Sequence, residues 1–369
     1  MVSNTDEDLL LYFVGDVGPN REDHGSIFQH VSHILREKDI AFCQLEPNIS
    51  SRGTPLPQAR LPMRTDPKAA SAIKDAGFDI VSFASNHCMD WGREAFFDTV
   101  DNLREQGLKV IGVGNNIEEA RRPAIVERKG TRVASLAYNS ILPMGYWAEA
   151  DRPGCAPMRA WTFYEQIEHD QPGTPCRKHT FANKDDLKAM KEDIIKAKSQ
   201  ADIVIVSMHW GLHFVPAELA DYQREAGHAA IDAGADLIIG HHAHILKGIE
   251  VYAGKVIFYS LCNFALDPAF SFAEGKSLKS AGQKEMQSLY PRDNPDAKKT
   301  GIVKCIISNK DIRTVSFLPA IVNDQSDPVV LTSGDERFSE VVKYMEAITR
   351  DQGIDTGYNI DGDEMVIHC

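Results

Sequence analysis

The chain has 369 residues, of which 43% are hydrophobic and 8% aromatic, a composition typical of a globular protein with a substantial core. Its formal net charge of -13 at pH 7 argues against nucleic acid as a partner, because that affinity comes largely from basic residues on phosphates, and it disfavours anionic membrane surfaces. The seven cysteines are scattered without a CxxC pair, which favours reduced thiols. The N-terminus is polar and no long apolar stretch is present, so we predict a cytoplasmic protein without a membrane partner.

Apolar runs and helical periodicity alternate along the first part of the chain, and the predicted strands end in polar residues. The predicted elements are strands at 9–14, 40–45, 78–84 and 108–113 and helices at 26–36, 67–76 and 92–106. The first three strands deliver Asp16, Glu46, and Asn86 with His87. One such residue could simply form a turn, but α/β folds gather ligand groups at strand ends. Three successive strand ends therefore predict a shared site.

A segment without clear periodicity follows a predicted hairpin at 124–127 and 133–138, whose antiparallel pairing makes the sheet mixed. The segment runs over residues 139–183 and contains Trp147 and Trp161. Long irregular insertions in compact domains are usually functional or mobile. We predict a lid or substrate wall, with a mobile surface loop as the alternative.

The second half of the chain again alternates strands and helices. The predicted elements are helices at 184–199 and 217–232, strands at 203–208 and 235–239, a hairpin around residues 253–254, a strand at 259–264, a closing strand pair at 301–308 and 314–318, and a helix at 336–350 before an acidic tail. A second irregular insertion covers residues 268–299. Because no repeat or linker separates these parts, we predict one domain over residues 1–369 with two insertions.

Three histidines in the loop after the strand at 235–239 indicate a metal site. The loop reads Gly240-His241-His242-Ala243-His244. In an extended loop, residues two apart project to the same side, so His242 and His244 can point together, and neutral imidazole is a common ligand of transition metals. The alternative is a polar loop with solvated histidines. His209 leaves the preceding strand and joins the same set.

Together these residues predict a catalytic metal centre. The proposed metal ligands are Asp16, Glu46, Asn86, His209, His242 and His244. Carboxylate, amide and imidazole ligands without thiolates suit Mn, Fe, Zn or Mg rather than a structural zinc. With two ions, Glu46 would be the bridging carboxylate, and His87 would be the general acid, unless it is a capping or core histidine. His213 and His241 are candidates for orienting the ligands, and Cys88 and Cys262 are predicted to be buried, inert thiols.

Six motifs in order resemble the CapA family of poly-γ-glutamate capsule biosynthesis proteins, which is similar to the calcineurin-like metallophosphoesterases. The motifs are Gly15-Asp16-Val17, Leu45-Glu46-Pro47, the stretch from Ser85 to Gly92, His209-Trp210-Gly211, the stretch from Gly240 to His244, and the stretch from Tyr259 to Phe264. The resemblance covers residues 9–267. It implies an α/β (α+β sandwich) fold in which two mixed β-sheets pack together and are flanked by helices, as in metallophosphoesterases.

The resemblance also implies site roles. The six proposed ligands keep their roles by position, and His87 takes the catalytic role, with Asp90 and His241 as further catalytic candidates. The candidate substrate contacts are Asn48, Trp147, Trp161, His213 and Asn263. Phosphoesterases usually carry histidine where this chain has Gly18, and an aspartate in place of Glu46. Family members commonly have glycine at Cys262 and carry a membrane anchor that this sequence lacks.

The resulting hypothesis is a metal-dependent hydrolase that uses a metal-activated water on a phosphoester or on a γ-glutamyl or peptide amide. It would bind one or two divalent ions (Mn, Zn, Fe or Mg) and a small-molecule or peptide substrate. Two alternatives remain open: a metal-independent acid–base enzyme resembling peptide epimerases, and a non-catalytic component of poly-γ-glutamate biosynthesis. The sequence leaves the oligomeric state open.

Overall fold

The computed structural model describes residues 8–267 and 294–369. The strands are β1 (Leu9–Gly18), β2 (Ile40–Leu45), β3 (Asn48–Ile49), β4 (Arg64–Thr65), β5 (Ile80–Ser82), β6 (Lys109–Ile111), β7 (Val113–Gly114), β8 (Ala124–Arg128), β9 (Thr131–Asn139), β10 (Gly154–Cys155), β11 (Ala160–Gln166), β12 (Cys176–Ala182), β13 (Ile203–His209), β14 (Leu237–His241), β15 (Ile249–Tyr252), β16 (Lys255–Phe258), β17 (Asn263–Leu266), β18 (Lys299–Ser308), β19 (Asp311–Val322), β20 (Pro328–Val330), β21 (Tyr358–Asp361) and β22 (Glu364–Ile367). The α-helices are α1 (Ser32–Arg36), α2 (Ala69–Ala76), α3 (Gly92–Glu105), α4 (Ile117–Ala120), α5 (Lys184–Lys198), α6 (Asp221–Asp232) and α7 (Glu336–Asp351).

Two mixed sheets form the body of the molecule. The larger has the strand order β21-β22-β19-β18-β1-β2-β5-β6, with β17 beside β1 and β20 beside β19. The smaller has the order β15-β16-β14-β13-β9-β8. Parallel pairs lie near the centre of each sheet (β1 with β2, and β13 with β14), and antiparallel strands lie at β18, β19, β8 and β15.

The side chains of β13 alternate between the two faces of the smaller sheet, and apolar side chains on both faces explain why both are covered. Ile203 and Ile205 enter the core between the two sheets, whereas Val204 and Val206 enter a second core on the opposite face. Successive strand residues point to opposite faces, so a strand without polar interruption requires a layer on each side. Burial of each such side chain contributes about 1.5–3 kcal/mol.

The two sheets pack face to face, and helices cover their outer surfaces. Phe258 of β16 and Phe317 of β19 lie with ring centroids 6.4 Å apart across the interface. On the outer face of the smaller sheet, Met190 and Ile194 of α5 and Ala226 of α6 complete the second core. The predicted fold class, two mixed β-sheets packed together and flanked by helices, is confirmed.

Several predicted elements differ in detail. The first strand continues to Gly18, and the helix predicted over 26–36 is a 3₁₀ turn at Ser26–Phe28 followed by the short α1. The acidic tail, where the sequence predicts no element, contains β21 and β22, which form a hairpin that pairs with β19. The two-residue Gly362-Asp363 turn between them is a recognised hairpin signal.

The expectation of an irregular segment over 139–183 is wrong. This segment contains β10, which pairs with β7, and an antiparallel hairpin of β11 and β12. The hairpin is exposed along most of its length, so its sequence lacks the apolar face that marks a half-buried strand. Of the second insertion, residues 268–293 lie outside the described residues, and the remainder forms a 3₁₀ turn at Pro295–Lys298 and the start of β18. None of the helices in the described ranges is long and apolar enough to cross a membrane.

Candidate metal centre

The carboxyl ends of the central strands of both sheets meet at one place. Asp16 lies near the end of β1, Glu46 follows β2, and His209 ends β13. One ligand atom from each of these three residues lies within 4.8 Å of the other two, and all three side chains are fully buried. The prediction that distant strand ends converge on a shared site is therefore supported by the geometry.

An irregularity in β1 positions Asp16. The pairing register of β1 shifts at this residue against both β2 and β17, as in the bulges that reorient side chains beside active sites. The Asp16 backbone N–H donates to the Cys262 carbonyl over 3.0 Å. A Cβ atom on Gly15 would lie 1.9 Å from that carbonyl oxygen, so this close approach of two chain segments requires glycine.

Cys262 itself has a φ of +65°, in the left-handed region that favours glycine. A glycine at this position would adopt the same backbone conformation without strain. Cys88 and Cys262 are buried, and burial raises the pKa of both thiols, in agreement with the prediction of inert cysteines.

The histidine loop reaches the site by a different geometry from the one we expected. His242 has a φ of +85° and His244 a φ of +53°, so the loop is not extended, and that part of the prediction is wrong. Non-glycine residues in this region are strained and are concentrated at functional sites. The two imidazole rings still come together, with centroids 6.1 Å apart, and the His242 N–H lies 3.4 Å from Asp16 Oδ2.

Four ligand atoms form a close cluster. Asn86 Oδ1 lies 2.7 Å from His209 Nε2 and 3.1 Å from His242 Nδ1, and these two nitrogens are 3.2 Å apart. Glu46 Oε1 is 3.7 Å from His209 Nε2. Two ligand atoms on one divalent ion lie about 3 Å apart, because each bond is about 2.1 Å long. The spacing and the mixed oxygen and nitrogen donors fit a transition-metal ion.

A second group of ligand atoms surrounds Asp16. His244 Nδ1 lies 3.8 Å from Asp16 Oδ2 and 2.6 Å from Asn263 Oδ1. His241 Nδ1 lies 3.3 Å from Asp16 Oδ1, and its ring contacts Phe42 with centroids 6.0 Å apart. Because His241 has no exposed surface, its position suits orientation of Asp16 better than contact with a substrate.

The electrostatics of the centre also favour a cation. Burial, together with the charge of Asp16, raises the pKa of Glu46 to about 7. Burial and the neighbouring histidines lower the pKa values of His209 and His242 well below the usual range, so both rings are neutral, which is the form that binds metals. Asp16 Oδ1 and Glu46 Oε1 are buried without a hydrogen bond. Buried carboxylate oxygens of this kind are costly unless a positive charge compensates them.

His87 borders this cluster and forms part of a separate chain of hydrogen bonds. Its Nδ1 lies 2.6 Å from Asp90 Oδ2, and its Nε2 lies 4.0 Å from Glu46 Oε2. Asp90 also accepts bonds from the Met63 N–H, at 2.8 Å, and from the Tyr146 hydroxyl, at 2.9 Å. Burial opposes a charge on His87, but the charge and hydrogen bond of Asp90 outweigh this effect and raise the pKa of His87.

The structure adds two residues that sequence reasoning missed. Tyr146 holds Asp90 from the insertion, and Ser85 Oγ donates to Glu46 Oε2 over 2.9 Å. Ser85 lies directly before Asn86 in a motif that we had already identified, so its position was an available signal. No sequence pattern relates Tyr146 to Asp90, because the two residues are 56 positions apart.

The predicted substrate contacts divide into two groups. His213 and Asn263 are at the centre, since the His213 ring lies 3.9 Å from the His242 ring and Asn263 bonds His244. Asn48 instead braces the loop after β5, because its amide contacts the Cys88 carbonyl and the Trp91 N–H.

The two tryptophans are not brought to the metal ligands. Trp147 donates to Glu149 Oε1 over 3.1 Å and lines a separate cavity of about 180 Å³ with Tyr138 and Arg159. Trp161 lies on β11 and is 63% exposed.

Comparisons with known proteins agree with the motifs. A family model described as "Bacterial capsule synthesis protein PGA_cap" matches residues 10–268. The PGA biosynthesis protein CapA of Bacillus subtilis is 30% identical over 284 residues, covering 74% of this chain and 67% of that protein. The capsule biosynthesis protein CapA of Bacillus anthracis is 27% identical over 283 residues, covering 74% of this chain and 63% of its own length.

Two solved structures show a weaker likeness. A hypothetical protein from Thermus thermophilus aligns with a TM-score of 0.45 and 14% identity, over 88% of this chain and 99% of that one. The calcineurin-like phosphoesterase YfkN from Bacillus subtilis aligns with a TM-score of 0.39 and 13% identity, over 94% of this chain and 97% of that one.

Proposed function

Because this chain belongs to the bacterial capsule synthesis protein PGA_cap family, we propose that it is a metal-dependent hydrolase of an anionic substrate, either a phosphoester or a γ-glutamyl or peptide amide. The observation that carries the proposal is the cluster of Glu46, Asn86, His209 and His242, in which His209 Nε2 lies 2.7 to 3.7 Å from a ligand atom of each of the other three residues. A cluster of neutral imidazoles and uncompensated carboxylate oxygens is stabilised by a divalent cation.

The residues divide naturally between two ions. Asn86, His209 and His242 would hold one ion and Asp16 and His244 a second, and Glu46 has a ligand atom within 4.8 Å of both Asp16 and His209. A divalent cation supplies Lewis acidity, which lowers the pKa of a water and stabilises negative charge that develops on the substrate. A side chain at position 18 has no room, because a Cβ there would lie 2.7 Å from Leu266 and Pro47, so any second imidazole beside Asp16 comes from the histidine loop.

The chain's own acid is His87. Its Nδ1 is held by Asp90, so its Nε2 is the nitrogen that faces the cluster. Asp90 raises the pKa of His87, which favours the protonated ring, and a protonated Nε2 can donate to the leaving group as general acid. Tyr146 and the Met63 N–H fix Asp90, and through it the orientation of His87. His213 cannot replace His87, because burial and neighbouring charges lower its pKa to about 2.

Two arginines near the centre support an anionic substrate. The Arg64 guanidinium lies 3.7 Å from the Trp91 ring centroid, and Trp91 directly follows Asp90. Arg60 is close enough to lower the pKa of His213. Within residues 8–267 and 294–369 neither arginine forms an ion pair. Guanidinium groups of this kind bind phosphate or carboxylate, and a γ-linked glutamate chain, the polymer implied by the CapA relatives, carries a free carboxylate on every residue.

The experiment combines metal analysis with a substrate screen. Purified protein is expected to contain one or two equivalents of Mn, Zn or Fe by elemental analysis, and His242→Ala should lose most of it, whereas His228→Ala, a histidine outside the cluster, should not. The screen uses p-nitrophenyl phosphate, bis-p-nitrophenyl phosphate and γ-glutamyl-p-nitroanilide, with and without chelator. Turnover that survives both chelator and His242→Ala would exclude the proposal.

One observation favours a metal-independent acid–base enzyme as the second candidate. Glu46, with a pKa of about 7, and His87, with a raised pKa, lie 4.0 Å apart, and two such groups can remove and return a proton. Deuterium incorporation from D₂O at the α-carbon of glutamyl peptides, in chelator-treated protein, would support this candidate. A protein without bound metal, hydrolysis or exchange would fit a non-catalytic component of polymer biosynthesis.

A further inference from the structure

The β11–β12 hairpin carries most of the large apolar side chains that are exposed in the described chain. Five of the nine lie on or directly beside it: Trp161 (63% exposed), Phe163 (58%), Tyr164 (62%), Ile167 (53%) and Phe181 (53%). Trp161, Phe163 and Phe181 share one face of the hairpin, and Tyr164 lies on the other. Clusters of exposed apolar side chains usually mark interfaces.

The two edges of the hairpin differ. The outer edge of β12 is covered, because the backbone N–H groups of Thr180 and Ala182 donate to Asp221 and Glu225 of α6, over 3.0 and 2.7 Å. Thr180 pairs with Thr162 across the hairpin. In an antiparallel pair, the N–H and C=O groups of two opposite residues either face each other or both point away from the partner strand. Those of Thr180 point away from β11, towards α6. The backbone groups of Thr162 therefore face the free edge of β11, where no strand of the described ranges pairs.

We propose that this hairpin is a self-association arm, in which the β11 strands of two copies of the chain pair antiparallel along their free edges about a two-fold axis. A strand edge with unpaired backbone groups is a template for such pairing, and a two-fold contact uses the same surface on both copies. The result would be a four-stranded sheet in which Trp161 and Phe163 of the two arms come together on one face and Tyr164 of each arm lies on the other.

Edge-to-edge pairing covers these side chains only in part, because the faces of the four-stranded sheet stay open to solvent. The contact is therefore expected to bury less than the ~1,000 Å² of a stable interface and to give a weak, concentration-dependent dimer.

The charges of the arm also favour a second copy over other occupants. Glu165 of β11 pairs with Arg177 and His179 of β12 within the arm. Two copies can therefore approach without strong charge repulsion, whereas a polyanion would require a basic surface. A membrane is disfavoured because the connecting turn carries Glu168 and Asp170, and the chain as a whole has a net charge of -13.

Cys176 provides the probe. It is exposed and lies opposite Gln166 in the hairpin, and Cys369 is the other exposed cysteine of the described residues. A Cys369→Ser protein carrying a spin label at Cys176 is expected to give one intermolecular distance in pulsed dipolar spectroscopy. Sedimentation velocity over about 1–100 µM should show a monomer–dimer equilibrium for the unlabelled protein.

Two kinds of variant test the arm. Trp161→Ser/Phe181→Ser removes apolar surface, and Tyr164→Pro blocks the free edge, where proline is tolerated in a hairpin. Each should raise the dimer dissociation constant at least tenfold and abolish the label–label distance, while circular dichroism and metal content stay unchanged. Ile195→Thr, which alters an equally exposed apolar residue on α5, should have no effect.

Three outcomes would overturn the proposal. These are a wild-type protein that remains monomeric up to about 100 µM, a dimer that persists in both arm variants, and binding of the wild-type monomer to phosphatidylcholine–phosphatidylglycerol vesicles that the arm variants lose. Because metal content and turnover are measured on the same samples, failure of the dimer is distinguishable from failure of the metal centre.

Discussion

Replacing Glu46 by glutamine should stabilise the metal-free protein at pH 8, although it removes a proposed metal ligand. Burial, with the nearby Asp16, raises the pKa of Glu46 from 4.5 to about 7. Between these two values the native state binds more protons than the unfolded state, so the stability contribution of this group falls as the pH rises and is lost in full above pH 7. A glutamine has no charge to bury and avoids that loss.

The magnitude follows from the shift. A change of about 2.5 pKa units corresponds to about 3 kcal/mol. The hydrogen bond from Ser85 Oγ to Glu46 Oε2 is weaker to a neutral amide, by about 1 kcal/mol. The net gain for Glu46→Gln in metal-free protein at pH 8 is therefore about 2 kcal/mol, and the two proteins should be equally stable, or the variant slightly less stable, at pH 4.5.

Metal should reverse this order. An ion at a thousandfold excess over its dissociation constant stabilises the native state by about 4 kcal/mol. The variant lacks one ligand charge, so it recovers less of this energy, and a loss of affinity of more than about thirtyfold is enough to place it below the wild type. The assay is urea unfolding of chelator-treated protein at pH 5 and pH 8, before and after addition of Mn²⁺ or Zn²⁺.

Glu119→Gln is the matched control. Glu119 is partly buried, but hydrogen bonds from Asn115 outweigh burial and lower its pKa, so neutralising it should destabilise the protein at pH 8 with or without metal. If Glu46→Gln destabilises metal-free protein at pH 8, or if metal leaves the order of the two proteins unchanged, the reasoning about a cation-compensated carboxylate is wrong.

Three further predictions concern other residues. Asp90→Asn should retain the metal but lower turnover by about 10² to 10⁴-fold, because His87 loses its charged partner. Tyr146→Phe should lower turnover less than tenfold. Loss of metal in Asp90→Asn would contradict the assignment. In thermal unfolding, Cys262→Gly should be neutral or stabilising and Cys262→Val destabilising. The reason is that only glycine adopts a φ of +65° without strain. Equal melting temperatures for the two variants would refute this. Burial lowers the pKa of Lys247 to about 8, so above that pH the unfolded state binds more protons than the native state. The stability of the wild type relative to Lys247→Met should therefore rise between pH 8 and 10.5, by up to about 3 kcal/mol in urea unfolding. A difference that does not change with pH would show that the lysine is not desolvated.

The sequence determined which residues could form the centre. Each proposed ligand follows an apolar run or ends one, and a polar residue at the end of a buried strand is a local pattern that can be read without a structure. The central strands were predicted for the same reason, because Ile203 to Val206 forms one continuous apolar stretch. The motifs around these residues also indicated the family, which the comparisons establish.

Only the tertiary structure decided how these residues meet. Asp16 and the His242 N–H are 226 positions apart, and their contact exists because two separate sheets pack with their strand ends at one place. The same holds for Tyr146 and Asp90, which belong to different segments of the chain. The left-handed backbone of His242 and His244 was not predicted either, because strain in a loop is imposed by the surrounding packing. Local patterns specify which groups leave each strand, whereas the approach of one sheet to the other fixes the distances between them.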